Sequence, residues 1–244
     1  MLKIFESSAI KIKVLLLSNI ILSIFYVINY DINMYNIASM LLVYFLFMCL
    51  GMVVTYHRYY SHYSFTFKNQ LYKYICTILG LLSGSGSVLN WCAVHNKHHD
   101  KHDTHEDPHD TSKGFLNLIT LNYNYSIELK YFKYLLKDKF LVFSHRYYLF
   151  LILSYISCLV LFFGIEGIVF GFSIPSALVV FVEALTTYFL HKGGKPRYVA
   201  WLNCLVFGDG NHDSHHKDLS LYKLERYDIS GWLIHNILRR TKYG

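Results

Sequence analysis

The chain has 244 residues, enough for one domain or at most two with a sizeable core. Hydrophobic residues make up 54% of it, aromatics 18% and charged residues 16%, and three prolines argue against long irregular linkers. The net charge of +7 comes without an arginine-rich stripe and with too much apolar content for a nucleic-acid binder, so it points to anionic lipid or a phosphate-bearing substrate.

From the amino terminus, the apolar stretch after Lys13 lacks an Ala-x-Ala-like cleavage site and runs on into a second hydrophobic segment, so a retained helix is expected. Crossing a bilayer takes about 20 mostly apolar helical residues. Four segments meet that need: Val14–Tyr30, Ile37–Tyr56, Tyr147–Phe163 and Ile168–Leu190. The last contains Pro175 and Glu183. A carboxyl inside a span is a functional candidate, and a protonated Glu183 bonded to a neighbouring helix is the competing reading. Between the second and third spans, Leu71–Val94 is apolar but broken by Gly80, Gly84 and Gly86, which predicts a re-entrant or interface-lying helix pair.

Loop charges predict the orientation. The connections Asp31–Asn36 and Gly164–Gly167 hold no Lys or Arg. Three lie in the segment through Lys13, eleven between His57 and Arg146, and nine after Leu190, which accounts for all 23. By the positive-inside rule both termini are cytoplasmic. The expected fold is an all-α integral membrane protein, a single domain over residues 1–244. Four transmembrane helices in two hairpins would carry a cytoplasmic helical cap formed by 57–146 and 191–244. Cys49, Cys76, Cys92, Cys158 and Cys204 are widely spaced with no Cys-x-x-Cys pair, so neither a disulfide framework nor a thiolate zinc site is expected.

Thirteen of the fourteen histidines lie from His57 to His216, all on the predicted cytoplasmic side. Three clusters stand out: His57 with His62, His95 with His98 and His99, and His212 with His215 and His216. On a helix, positions i, i+3 and i+4 share one face, so each His-x-x-His-His presents three imidazoles together. His57 and His62 would stand about 140° apart on an unbroken helix. They converge only if the helix unwinds there or if they straddle two metals. Imidazole suits iron, zinc and copper, and eight clustered histidines exceed the four ligands of zinc or the six of octahedral iron. Two metals sharing the set are expected. Asp103, Asp107 and Asp209 are candidates to orient the ligand imidazoles.

These clusters resemble the three histidine boxes of the membrane fatty acid desaturases. Trp91, four residues before His95, fits the same pattern. The run from His98 through Asp103, Asp107-Pro108-His109-Asp110 and Lys113-Gly114-Phe115 resembles a stretch of the bacterial and acyl-lipid delta-9 type. Gly208-Asp209-Gly210-Asn211-His212 is similar to the family's Gly-Glu-Gly-x-His, with Asp for Glu, and a weaker echo follows at Asp228–Ile234. The resemblance implies a ninth ligand, His191. It also implies an outer metal contact four residues earlier, where relatives commonly carry Asn and this chain has Thr187. His191-Lys-Gly-Gly lacks the proline of a cytochrome b5 haem motif, and too little chain follows for that domain. His105 and His109, with Trp91, are candidate substrate-side residues, while His145 and His235 are expected to be structural.

The activity so implied is that of an O2-dependent acyl desaturase with two iron ions, introducing a cis double bond into a long acyl chain at the delta-9 position. The acyl group would be carried on CoA, carrier protein or a glycerolipid. With no haem, flavin or cysteine-rich iron–sulfur segment, electrons would come from a separate cytochrome b5 or ferredoxin-type donor. The competing readings are a di-iron membrane hydroxylase and a zinc-binding membrane protein.

Overall fold

In the computed structural model, which describes residues 2–102, 104–120, 127–224 and 227–240, the apolar segments become helices packed side by side. Among the described residues there is no sheet, only two isolated antiparallel bridges, Phe67 with Arg239 and Tyr198 with Asn211. The all-α class follows from the apolar composition: a helix satisfies its own backbone bonds where no water can.

The first helix, α1 (Leu2–Asn29), is followed by a short turn and by α2 (Met34–Phe45). A reciprocal cap starts α2: Asn33 accepts from Asn36 N–H, and Asn33 N–H donates back to Asn36 Oδ1. The helix continues without interruption through Leu46–Ser61, wound there as a π-helix. Later come α7 (Tyr148–Ile168) and α8 (Ile174–Leu190). Among the described residues, three apolar helical segments are long enough to cross a membrane: Ile10–Asn29, Met34–Ser61 and Tyr148–Leu190. The first has 11% of its most apolar window buried inside the protein and the second 44%, so α1 faces outward while α2 is the hub against which other helices pack.

The four expected spans thus merge into three apolar segments, because the third and fourth run together. That last segment is not straight. Gly164 has φ 62° and ψ −149°, outside helical geometry and in the region where a missing Cβ matters. Beyond it, the Tyr155 hydroxyl donates to Gly171 C=O at 3.0 Å. Sixteen residues of straight helix would separate those positions by about 24 Å. The chain therefore doubles back at Gly164. This turn and the α1–α2 turn lie at the same end of the bundle, where Asn36 Nδ2 donates to Glu166 Oε2 at 3.1 Å.

Leu71–Val94 forms the expected helix pair, α3 (Gln70–Leu82) and α4 (Val88–Lys101). Asn69 caps the first and Ser87 the second through side-chain oxygens. The link between them turns at Gly84 and Gly86, both with positive φ, and inserts beside α1 and α8: a Cβ on Gly84 would collide with Ser176, and Ser176 is itself bonded by Asn19 of α1. The pair therefore dips in and returns, delivering His95 to the end of the bundle from which α3 sets out. Its remaining partners are short: α5 (Phe115–Ile119), α6 (Lys139–Arg146), α9 (Ala200–Leu205), α10 (His212–Lys217) and α11 (Ile229–Leu233).

The crossing of α3 over the π-helical stretch depends on two glycines. A Cβ on Gly51 would lie 2.5 Å from Gly80 N, and one on Gly80 would strike the Tyr56 ring. Gly51→Val should force the helices apart and destabilise the protein by about 1–3 kcal/mol, seen as a lower unfolding midpoint in detergent. An unchanged midpoint would show that this crossing does not need close contact.

Candidate metal centre

His57 and His62 converge by the first of the two routes that their spacing allows. The helix underwinds there, and both rings serve one group. It widens: in the π-helical stretch, bonding is i→i+5, and His62 N–H donates to His57 C=O at 3.3 Å. Residues five apart then lie roughly one turn apart, and the two rings sit with centroids 4.8 Å apart.

The triplets on α4 and α10 each divide between two groups. On a helix i and i+4 differ by about 40°, whereas i+3 lies about 60° to the other side of i. Accordingly His95 and His99 join His57, His62 and His215, while His98 joins His191, His212 and His216. Each of the two helices serves both groups, and His99 stacks on His216 where the groups abut, at 4.5 Å. His191 arrives from the end of α8.

Within each group the imidazole nitrogens point at a common centre. Nε2–Nε2 separations are 2.9 Å for His57–His215 and His62–His95, and 3.1 Å for His95–His99. In the second group they are 3.1 Å for His98–His191, 2.7 Å for His191–His212 and 3.0 Å for His212–His216. Nitrogens bound about 2.1 Å from one metal stand about 3.0 Å apart when at right angles. All ligand atoms of a group lie within 4.8 Å of one another. Five nitrogens in the first group exceed a tetrahedral zinc site but suit an octahedral set with an open position. The residues fit a pair of metal ions.

Protonation chemistry agrees with that fit. Burial, reinforced by the neighbouring imidazoles, holds His95, His98, His99, His212 and His215 well below the ordinary histidine range, and pulls His216 down to about 3. These rings are neutral at physiological pH, the form in which imidazole binds metal. One histidine of each group is anchored from behind by a carboxylate. Asp209 Oδ2 lies 2.5 Å from His57 Nδ1, and Asp107 accepts from His98 Nδ1 at 2.9 Å. Both contacts leave Nε2 aimed at the centre. Burial opposes ionisation of Asp209, but His57 and Arg58 outweigh it and keep its pKa below the usual carboxylate value.

A cavity of about 230 Å³ leads away from the histidines between α2, α4 and α8. Met48, Met52, Val53, Leu118, Val180 and Ala184 give it apolar walls, with the two histidine groups at one end. Trp91 lies along its side, stacked on His95 at 4.7 Å and 18°, and its Nε1–H donates to Glu183 Oε1 at 2.8 Å. Ser85 Oγ donates to the other oxygen of Glu183 at 2.7 Å. Glu183 is thus bonded to Trp91 of the neighbouring α4 and also lines the cavity.

The fatty acid desaturase family model matches residues 35–237. This chain belongs to the fatty acid desaturase family. It is 28% identical over 189 residues to the sn-1 stearoyl-lipid 9-desaturase of Anabaena variabilis, covering 72% of this chain and 69% of the relative. It is 29% identical over 182 residues to Delta-9 acyl-lipid desaturase 1 of Arabidopsis thaliana, covering 68% and 59%. A shorter match, 41% over 51 residues, is to a Hex-5-enoyl-[acyl-carrier protein] acetylenase of Moorena producens, covering 21% and 16%. The chain thus spans less than two thirds of the length of the plant relative, and the homology is distant.

The remaining expected site residues are distributed unevenly. His109 lines the cavity with its ring 5.1 Å from that of His98, and burial lowers it to about 4. Thr187 lines it one turn before His191. His105 is exposed and outside the cavity lining, on a turn pointing to solvent. Asp103 lies outside the described residues. His145 Nδ1 meets Ser87 Oγ at 2.8 Å and His235 Nδ1 meets the Tyr222 hydroxyl at 3.0 Å, structural contacts in both cases. Sequence reasoning missed Arg58, which is 2% exposed beside His57. The signal was a guanidinium placed inside the first histidine cluster, where a solvated position is hard to reach.

Two outcomes follow for the purified protein. Asp107→Asn should weaken metal affinity about 10–100-fold by releasing the His98 ring, measurable by metal-buffer titration. In the metal-free protein, unfolding lets these histidines protonate below their ordinary value of 6.5, while the folded state resists it. The unfolded state then binds more protons, so stability is full above about pH 6.5 and is lost as pH falls below it. The unfolding midpoint should drop between pH 7 and pH 5, and a flat profile would contradict the burial argument.

Proposed function

We propose that this protein is an O2-dependent fatty acyl desaturase that introduces a cis double bond, at the delta-9 position, into a long saturated acyl chain. The observation that carries the reading is the pair of abutting histidine groups at the head of an apolar cavity between membrane-crossing helices. His57, His62, His95, His99 and His215 would hold one iron, and His98, His191, His212 and His216 the other. Two irons so held supply the oxidising power for removing hydrogen from an unactivated methylene, which side chains alone lack.

The chain's own residues do the rest. The apolar walls exclude water and orient a featureless acyl chain, so that one C–C pair rests beside the histidine groups. Trp91, pinned between His95 and Glu183, forms a rigid side to that slot, with His109 close to His98. Asp107 and Asp209 keep two of the ligand rings from swinging. The delta-9 assignment draws on the printed names of the cyanobacterial and plant relatives.

The two limbs of Tyr148–Leu190 on either side of Gly164 make a second membrane hairpin beside α1 and α2, giving four crossings. The distribution of Lys and Arg supports a cytoplasmic location for both termini and the metal centre. Electrons come from a separate cytochrome b5 or ferredoxin-type protein, for which the exposed Lys192, Lys195 and Arg197 beside His191 offer a basic landing face.

Expression in a desaturase-deficient host, followed by mass spectrometry of its fatty acids, tests the reading. New monounsaturated chains are expected, with the double bond at carbon 9. Hydroxylated chains without a double bond would make the protein a hydroxylase instead. His98→Ala and His215→Ala, one from each group, should both reduce product to background while the protein still inserts in the membrane. Wild-type product from either variant would remove that residue from the ligand set.

A further inference from the structure

Arg58 follows His57 directly and is buried, yet it makes no contact with the cavity that the proposed reaction uses. A buried guanidinium is retained only where its donors are matched. Here they are divided. Nη2 donates to Asp209 Oδ1 at 3.1 Å. Nη1 donates to Asp228 Oδ2 at 2.8 Å and to Tyr222 C=O at 2.8 Å. Asp209 thus has each oxygen committed, Oδ1 to Arg58 and Oδ2 to His57 Nδ1. Its carboxylate plane is set from both sides.

Asp228 is fixed in turn. It accepts from Leu224 N–H at 2.6 Å, Gly231 N–H at 2.8 Å and the Ser230 hydroxyl at 2.9 Å, capping α11. Gly208, with φ +121°, lets this carboxylate press against the backbone just before Asp209, since a Cβ there would collide with Asp228. Ser230 closes the same turn by donating its N–H to Phe207 C=O at 2.9 Å.

We propose that Arg58 and Asp228 are positioning residues for the five-histidine group. They hold Asp209 against His57, so that Tyr222 and Asp228, far along the chain, set the aim of His57 Nε2 at the first metal. A lysine has the charge but not the planar fork that spans two carboxylates. The inference rests on the di-metal reading above.

Titration of the detergent-purified, metal-free full chain with Co2+, followed by its visible absorption, tests both. Wild type should take up two equivalents. Asp228→Asn and Arg58→Lys should each bind one equivalent as wild type does and the second about 10–100-fold more weakly. Asp107→Asn should instead spare the five-histidine equivalent and leave a different residual spectrum. Two unweakened equivalents in both Asp228→Asn and Arg58→Lys, with only a lower unfolding midpoint, would overturn the positioning role and leave a purely structural one. If Asp228→Asn does not fold, Arg58→Lys decides alone: wild-type uptake overturns the proposal, and selective loss of one equivalent supports it. Fewer than two equivalents in wild type would defeat the di-metal reading itself, a failure distinct from that of the Arg58 link.

Discussion

Imidazoles can crowd into a small volume only where they are uncharged. Two protonated rings a few ångströms apart in a poorly solvated site repel by several kcal/mol, and here the rings are buried as well as crowded. Both effects act in one direction and hold rings such as His95, His98 and His212 neutral at physiological pH. A neutral ring has one nitrogen to offer and one proton to place. The Asp107 carboxylate behind His98 receives that proton, Asp209 lies against His57 Nδ1, and in both rings the other nitrogen faces inward. Most of the surrounding structure can be understood as the means of bringing neutral rings together and then keeping each from turning.

The membrane supplies the second constraint. With no water to pair backbone groups in the hydrocarbon layer, the chain crosses it as helices and must place its polar chemistry at their ends. The π-helical winding of Leu46–Ser61 is a solution peculiar to this setting. It keeps every backbone bond local while rotating His62 to the side of His57, which a regular α-helix cannot do. The α3–α4 pair solves a related problem. It carries Trp91 and His95 up from inside the bundle, so that the apolar cavity and the histidines are lined by the same helix.

The metal-centre geometry also explains why the two His-x-x-His-His triplets are both needed. Neither group could be completed by one helix, because i+3 diverges from the i, i+4 pair. By trading their middle histidines, α4 and α10 tie the two groups into one unit. The second group has four histidines where the first has five, and Thr187 borders the cavity beside it.

Much of this was legible in the sequence. The all-α class, the helix pair at Leu71–Val94 and the grouping of histidines at one end follow from hydropathy, glycine placement and spacing, which are local properties; Asp103, Asp107 and Asp209 were candidates only through the habit of a ligand imidazole to pair with a carboxylate. The division of the histidines into five and four was not legible, since a triplet's shared face does not say which neighbour each ring will meet. Nor was the widening of α2, because a π-turn depends on what packs around it more than on its own residues. The continuous segment Tyr148–Leu190 likewise reads as two spans by composition, and only the backbone at Gly164 shows how its limbs are joined. Arg58 illustrates the same limit: its partners are 151 and 170 residues away, and only the folded chain puts them within reach. Sequence by itself determined which side chains were present and that the histidines cluster at one end of the helices. Tertiary structure alone decided which side chains share a centre, because that depends on contacts between residues that no local pattern connects.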